Sequence, residues 1–166
     1  WAPDDLQVYF KVCNDSENLY LAWEVEDNLH CSHMPTPDIW EGDSIQFGID
    51  LTNQRSPWYH NDYIEMAIAL IDGKSMQYSW SPWKEADSPW FKQMQIETKR
   101  NGTRTQYECR IPFKVLPGSE KLQNRLMFSF AVNDNDGRGF NGGIIPGSGL
   151  YIRKNPSRFG SIYLTE

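Results

Sequence analysis

WEGDSIQFGID, the stretch from Trp40 to Asp50, begins with turn-forming residues and continues with apolar side chains at every second position. Ile45, Phe47 and Ile49 occupy every second position between Ser44 and Leu51. In an extended chain, residues two apart project to the same side, so these three side chains share one apolar face. The stretch therefore predicts a half-buried β-strand that follows directly on a tryptophan-bearing loop.

The same period-two alternation recurs on both sides of this strand. The other predicted strands are Leu6–Val12, Asn18–Asp27, Tyr63–Ile71, Lys74–Trp80, Gln93–Lys99, Thr103–Ile111, Leu126–Asn133 and Ser161–Leu164. Asp72-Gly73 and Asn101-Gly102 are strong signals for tight hairpins, and a single helical turn is predicted at Pro112–Leu116. Many short strands separated by turn-forming residues indicate an all-β fold. We predict one antiparallel β-sandwich domain of jelly-roll type over residues 1–166.

Composition excludes several classes of partner. The chain has 166 residues, and 16 Lys and Arg against 22 Asp and Glu give a net charge of −6. An acidic surface repels phosphate backbones, so we expect no nucleic-acid partner. No apolar run approaches the roughly 18 residues of a membrane-spanning helix, so no membrane insertion is expected. Motifs of hydrolases, metalloproteases and nucleotide-binding loops are missing from the sequence, which favours a protein that is not an enzyme.

Aspartates at the ends of predicted strands suggest a hard cation. Asp27 closes the second strand, Asp50 lies near the end of the third, and Asp62 precedes the fourth. Carboxylates and loop carbonyls are the ligands that Ca²⁺ prefers, so these three residues are candidates for a structural calcium site. The alternative is that each aspartate only forms a turn with its own backbone.

Aromatic residues in irregular segments give a more specific clue. Seven Trp, eight Tyr and eight Phe are present, and Trp40, Trp58, Trp80, Trp83 and Trp90 all lie near proline or glycine. An exposed indole ring is a flat apolar surface with a polar N–H, which suits the C–H face of a pyranose ring. The alternative is that such rings cap the open end of the sandwich. We expect at least one of them to contact a ligand.

Four segments resemble the family 9 carbohydrate-binding modules and their wider relatives. Trp40 to Asp50 is similar to the family signature W-x-x-D-S-V-E-x-x-I-D. Leu19 to Asp27 is similar to its "LYV…V-x-D" strand, Phe128 to Asp134 to its "FNIQVND" strand, and Asn155 to Gly160 to its closing "DPSKFG" segment. The segments occur in the family's order over nearly the whole chain. The strands that usually open the family's fold are expected to be missing before Leu6.

The resemblance implies a β-sandwich that binds sugars between aromatic rings and commonly carries structural calcium. By position, the implied ligand-binding residues are Trp40, Gln46, Glu65, Asn133, Tyr151 and Arg153. Glu65 stands where the family has an arginine, which predicts a preference for neutral or basic sugars over acidic ones. The resemblance also implies a carbohydrate partner, an extracellular or periplasmic location and association with other domains of a parent enzyme.

Two further functions stay open from the sequence. Relatives of this sandwich bind b-type haem through Met with His or Lys, and the chain has candidates for such a pair: His30, His33, His60, Met34, Met66, Met76 and Met127. Alternatively, the domain is a structural or docking module of a larger secreted enzyme and has no ligand of its own.

Overall fold

The computed structural model describes residues 5–32, 37–81, 89–151 and 154–165, and these residues are mainly extended. The strands are β1 (Leu6–Asn14), β2 (Asn18–Asp27), β3 (Ser44–Asp50), β4 (Tyr63–Ile71), β5 (Lys74–Ser81), β6 (Gln95–Asn101), β7 (Arg104–Pro112), β8 (Arg125–Asp134), β9 (Gly142–Ile144) and β10 (Gly160–Tyr163). A short helix, α1, covers Pro89–Gln93, and 3₁₀ turns cover Ile39–Glu41, Phe113–Val115, Ser119–Lys121 and Pro156–Arg158. No helix in this described part is long and apolar enough to cross a membrane.

The strands form two sheets. Sheet A has the order β1-β2-β7-β6, and sheet B has the order β10-β8-β3-β4-β5, with β9 pairing with β8 next to β10. Every strand pair is antiparallel. The antiparallel β-sandwich predicted from the alternation is therefore confirmed.

The apolar faces of the two sheets meet in one core. In β2, Trp23 is 1% exposed, and its ring centroid lies 5.4 Å from that of Phe47 in β3. Ile45 and Ile49, two positions to either side of Phe47, are fully buried with it in the same cluster. The period-two pattern around Phe47 thus assigned the core face of β3 correctly.

Sheet B is also covered on its outer face. All seven residues of β3 are buried, including the alternate positions Gln46 and Gly48 that face away from the core. Over β4, Ala67 and Ala69 are covered by Ile39, and over β8, Ala131 packs in a cluster with Leu150 and Phe159. Loops therefore form a third layer over sheet B, and the candidate site lies between these loops and the sheet.

Both predicted tight hairpins are present. Ile71 pairs with Lys74 across Asp72-Gly73, where both residues have positive φ (50° and 72°), as type I′ turns require. Asn101 pairs with Arg104 across Gly102-Thr103, so the second turn begins one residue later than predicted.

Two elements differ from the sequence prediction. Gln93 belongs to α1, so β6 begins at Gln95, two residues later than predicted. β9 was not predicted, because three residues containing two glycines carry no readable periodicity.

Candidate functional site

A cavity of about 430 Å³ opens on the outer face of sheet B. It is lined by Trp40, Gln46, Trp80, Phe140, Leu150, Tyr151 and Lys154. Gln46 comes from the middle of β3, whereas the other lining residues come from the end of β5 and from loops. A volume in this range, mostly aromatic and aliphatic walls and a few polar groups are typical of small-molecule sites.

Aromatic side chains form walls on both sides of Gln46. Trp40, Phe140 and Tyr151 form the first wall. The ring centroid of Phe140, in the middle, lies 5.4 Å from that of Trp40 and 6.1 Å from that of Tyr151, and both pairs are edge-on. Trp80 forms the second wall, supported edge-on by Tyr78 at 5.3 Å. Leu150 and Tyr151 pack over β8, and β5 lies on the other side of β3, so the walls flank the strand that carries Gln46.

A buried carboxylate lies beneath the cavity. Glu65 of β4 is 0% exposed, and Gln46 Nε2 donates a hydrogen bond to its Oε1 at 2.6 Å. The Tyr59 hydroxyl donates to Oε2 at 2.8 Å, and the Tyr63 hydroxyl donates in turn to Tyr59 at 2.9 Å. Lys154 Nζ makes an ion pair with Oε1 of Glu65. Partners on both oxygens offset the cost of burying this charge.

Lys154 and Tyr151 present polar groups to the cavity. The Lys154 ammonium lies 5.7 Å from the Trp80 ring centroid and 5.8 Å from that of Tyr59, and its side chain is 44% exposed. The Tyr151 hydroxyl is buried and has no hydrogen-bond partner among the described residues, and burial raises its pKa. A buried hydroxyl without a partner is costly in the free protein and is available to a ligand.

The structure brings together part of the predicted ligand-binding set. Trp40, Gln46 and Tyr151 line the cavity, and Glu65 lies under it in contact with Gln46. Asn133 does not line it: this residue is 1% exposed, and its Nδ2 donates to Ser44 Oγ at 2.9 Å. Arg153 falls outside the described residues.

Four lining residues were not predicted as part of the site. Trp80 was noted only as one of several loop aromatics, and Phe140, Leu150 and Lys154 were not singled out. Trp80 ends an edge strand and Lys154 follows a late loop, so only the folded chain brings them to Gln46. Glu65, which stands where the family has an arginine, could have pointed to Lys154. A buried acid on a strand needs a cationic partner elsewhere in the chain.

The structure does not bring the three predicted calcium ligands together. Asp27 lies near Asp43, which immediately precedes β3, whereas Asp50 is the last residue of that strand. At about 3.3 Å per residue, the two ends of the stretch are roughly 20 Å apart, too far for one ion. Asp50 Oδ1 instead accepts hydrogen bonds from Thr52, and Asp62 pairs with Lys121 at 2.5 Å.

Asp27 belongs to a different acidic cluster. Asp27, Asp134 and Asp136 each offer a carboxylate oxygen, and these oxygens lie within 4.8 Å of one another. Burial raises the pKa of Asp27 to about 6, and the charges of Asp134 and Asp136 add to this effect. Arg100 Nη1, 3.7 Å from Asp27, compensates part of the negative charge. Three oxygen ligands of this kind fit the donor preference of Ca²⁺.

Two of the four candidate methionine ligands of haem are buried in packed clusters. Met66 is buried in the core between the sheets, and Met127 is buried in the cluster with Tyr63. His30 Nε2 lies 3.0 Å from the Leu70 carbonyl oxygen, and His60 lies 3.8 Å from Asp50. His33 and Met34 fall outside the described residues.

The chain belongs to the carbohydrate family 9 binding domain-like family, whose model matches residues 1–166. Domains of this family are non-catalytic binding modules, in agreement with the prediction that the chain is not an enzyme. Among curated proteins, none is significantly similar to this chain.

Two solved structures show the same fold. One is a family 9 carbohydrate-binding module from Caldicellulosiruptor kristjanssonii in complex with cellotriose, with a TM-score of 0.77 and 23% sequence identity over 96% of this chain and 75% of the other. The other is a family 9 module from the same organism in complex with glucose, with a TM-score of 0.71 and 21% identity over 96% of this chain and 77% of the other. At these identities the likeness extends to the fold.

Proposed function

We propose that this domain binds a carbohydrate in the cavity between Trp40 and Trp80. The observation that carries the proposal is the cavity itself, in which aromatic walls flank a polar floor and a buried hydroxyl has no partner among the residues that the structure describes. Indole and phenyl faces suit the C–H faces of a pyranose, and the polar groups suit its hydroxyls. Family membership and the sugar complexes of the two similar modules support the same conclusion.

The polar groups have different parts in this proposal. Gln46 is held by Glu65 through its Nε2, which leaves its carbonyl oxygen to accept a hydrogen bond from a sugar hydroxyl. Tyr151 would donate a hydrogen bond from its hydroxyl to a sugar oxygen and so satisfy a group that no described residue pairs with. Trp40 and Trp80 would supply the apolar contact area.

Tyr151→Phe tests the proposal. Loss of one hydrogen bond should weaken binding of cellotriose about three- to tenfold. Thermal stability should stay the same or rise, because the hydroxyl has no partner among the described residues of the free protein. Calorimetric titration with cellotriose and glucose gives the affinities, and differential scanning calorimetry gives the midpoints. If the unmodified domain binds neither these neutral sugars nor an acidic one, the proposed function is wrong.

We propose in addition a structural calcium ion held by Asp27, Asp134 and Asp136. The three carboxylates are crowded, two of them are buried, and a divalent cation would relieve their mutual repulsion. Asp134 ends β8 and Asp27 ends β2, so the ion would join the two sheets at one end of the sandwich. Its expected role is in stability, because none of these residues lines the cavity.

Removal of calcium is expected to lower the thermal midpoint. At calcium 100-fold above its Kd, the ion would contribute about 2.7 kcal/mol, which corresponds to roughly 5–10 °C for a chain of this size. Scanning calorimetry with calcium and with EDTA measures the difference. Asp136→Asn should reduce it, whereas Asp62→Asn, which alters an acid paired with Lys121, should not. Equal midpoints with calcium and EDTA would contradict the ion.

An extracellular or periplasmic location is part of the same proposal, because polysaccharides are found there. Other domains of a larger polysaccharide-active protein are the proposed partners of the module.

A further inference from the structure

We infer that the cavity selects sugars that carry a carboxylate, such as uronic acids, over their neutral counterparts, with Lys154 as the residue that determines this preference. The inference rests on the proposed function and specifies the substrate class of that site. It reverses the expectation from the sequence, in which Glu65 alone predicted a preference for neutral or basic sugars.

The negative charge of Glu65 is closed to a ligand. The side chain is 0% exposed and does not line the cavity. Its Oε1 accepts from Gln46 and Lys154, and its Oε2 accepts from Tyr59. With both oxygens occupied by donors, the carboxylate has no accessible face on which to attract a basic sugar.

Lys154 is the charge that a ligand meets. Among the described residues that line the cavity, it is the only one with a charged side chain. The side chain is 44% exposed, although its ammonium is anchored to Glu65 and lies over the Trp80 ring. An ammonium has three N–H donors, and Glu65 uses one, so the others remain for acceptors on the ligand.

The chemistry of this donor favours an anionic acceptor. A hydrogen bond in which the donor or the acceptor is ionised is roughly twice as strong as one between neutral groups, and an ionised acceptor opposite the ammonium adds the attraction between two full charges. A ligand carboxylate would contact Lys154 directly, whereas Glu65 would lie on the far side of the ammonium and repel the ligand from a greater distance. The net charge of −6 also repels an anionic ligand. In physiological salt the Debye length is about 8 Å, so this repulsion is largely screened.

Calorimetric titration with methyl β-glucuronide and methyl β-glucoside tests the inference, because the two ligands differ only at C6. The unmodified domain should bind the glucuronide about three- to tenfold more tightly in physiological salt. The difference should shrink as sodium chloride is added. Equal affinities, or tighter binding of the glucoside, would overturn the inference and leave the proposed function intact. Binding of neither ligand would overturn both.

Variants then assign the preference to Lys154. Lys154→Arg should keep the preference, because it keeps the charge next to Glu65. Glu65→Gln combined with Lys154→Met removes both charges together and leaves no unpaired buried carboxylate, so the ratio of the two affinities should fall to about one even if both affinities decrease. Lys114→Met, which removes an exposed lysine that does not line the cavity, is the matched control and should change neither affinity. Retention of the preference in the double variant would exclude Lys154 as its source.

Discussion

Trp40→Ala is expected to reduce sugar binding to near the detection limit while the domain stays folded. Truncation of a central aromatic contact typically costs about 2 kcal/mol or more, which is roughly a 30-fold loss of affinity. The substitution also removes the edge-on contact with Phe140, so the wall toward Tyr151 loses its support. Trp40 is only partly buried and lies outside the core between the sheets, so a small stability change is expected.

The matched control for this variant is Trp58→Ala. Trp58 is 76% exposed and does not line the cavity, so its removal changes the tryptophan content without altering the site. Titration with cellotriose should separate the two variants, and denaturant unfolding should show similar midpoints for both. If Trp40→Ala bound as tightly as Trp58→Ala, the cavity would not be the sugar site.

Gly48→Ala is expected to lower the free energy of unfolding by about 3 kcal/mol and to abolish binding. A methyl group at position 48 would lie 2.5 Å from the Tyr63 hydroxyl and 2.7 Å from the Phe159 ring. Both rings are almost fully buried and cannot swing into solvent. Displacement of Tyr63 would break its hydrogen bond to Tyr59 and so disturb the support of Glu65.

A matched glycine gives the control for this prediction. Gly160 in β10 has only the Phe128 carbonyl oxygen within reach of an added methyl group, at 3.5 Å, so Gly160→Ala should change stability by less than about 0.5 kcal/mol. Adding Tyr63→Phe to Gly48→Ala removes the nearest clashing atom and should recover part of the loss. Urea unfolding measures all three variants. An unchanged midpoint in Gly48→Ala would contradict the close packing of this layer.

The fold was predictable because patterns within short stretches of sequence determine its strands and turns. Alternation around Phe47 and in β2 gave the core faces, and Asp72-Gly73 fixed a hairpin by turn chemistry alone. What escaped prediction was short: β9 has three residues and α1 has five. Segments of that length contain fewer than two full periods of the hydrophobic pattern.

The site was predictable close to the strand that decided the fold and, through the family resemblance, at Tyr151. Trp40 and Gln46 are within that stretch and both line the cavity. Trp80 and Lys154 come from distant parts of the chain, and only strand order brings them there. The three predicted calcium ligands do not lie together for the same reason. The sequence shows which residues end strands, but not which strand ends lie side by side in the fold.

The Glu65 carboxylate joins four separate parts of the chain: β4 that carries it, β3 through Gln46, the loop before β4 through Tyr59, and the late segment through Lys154. Altering this anchor to gain a new ligand would therefore put the integrity of the outer layer at risk. Evolution or engineering can vary the aromatic rim, at Phe140 or Trp80, at much lower risk. Diversification of such modules should accordingly concentrate at the mouth and spare the acid beneath it.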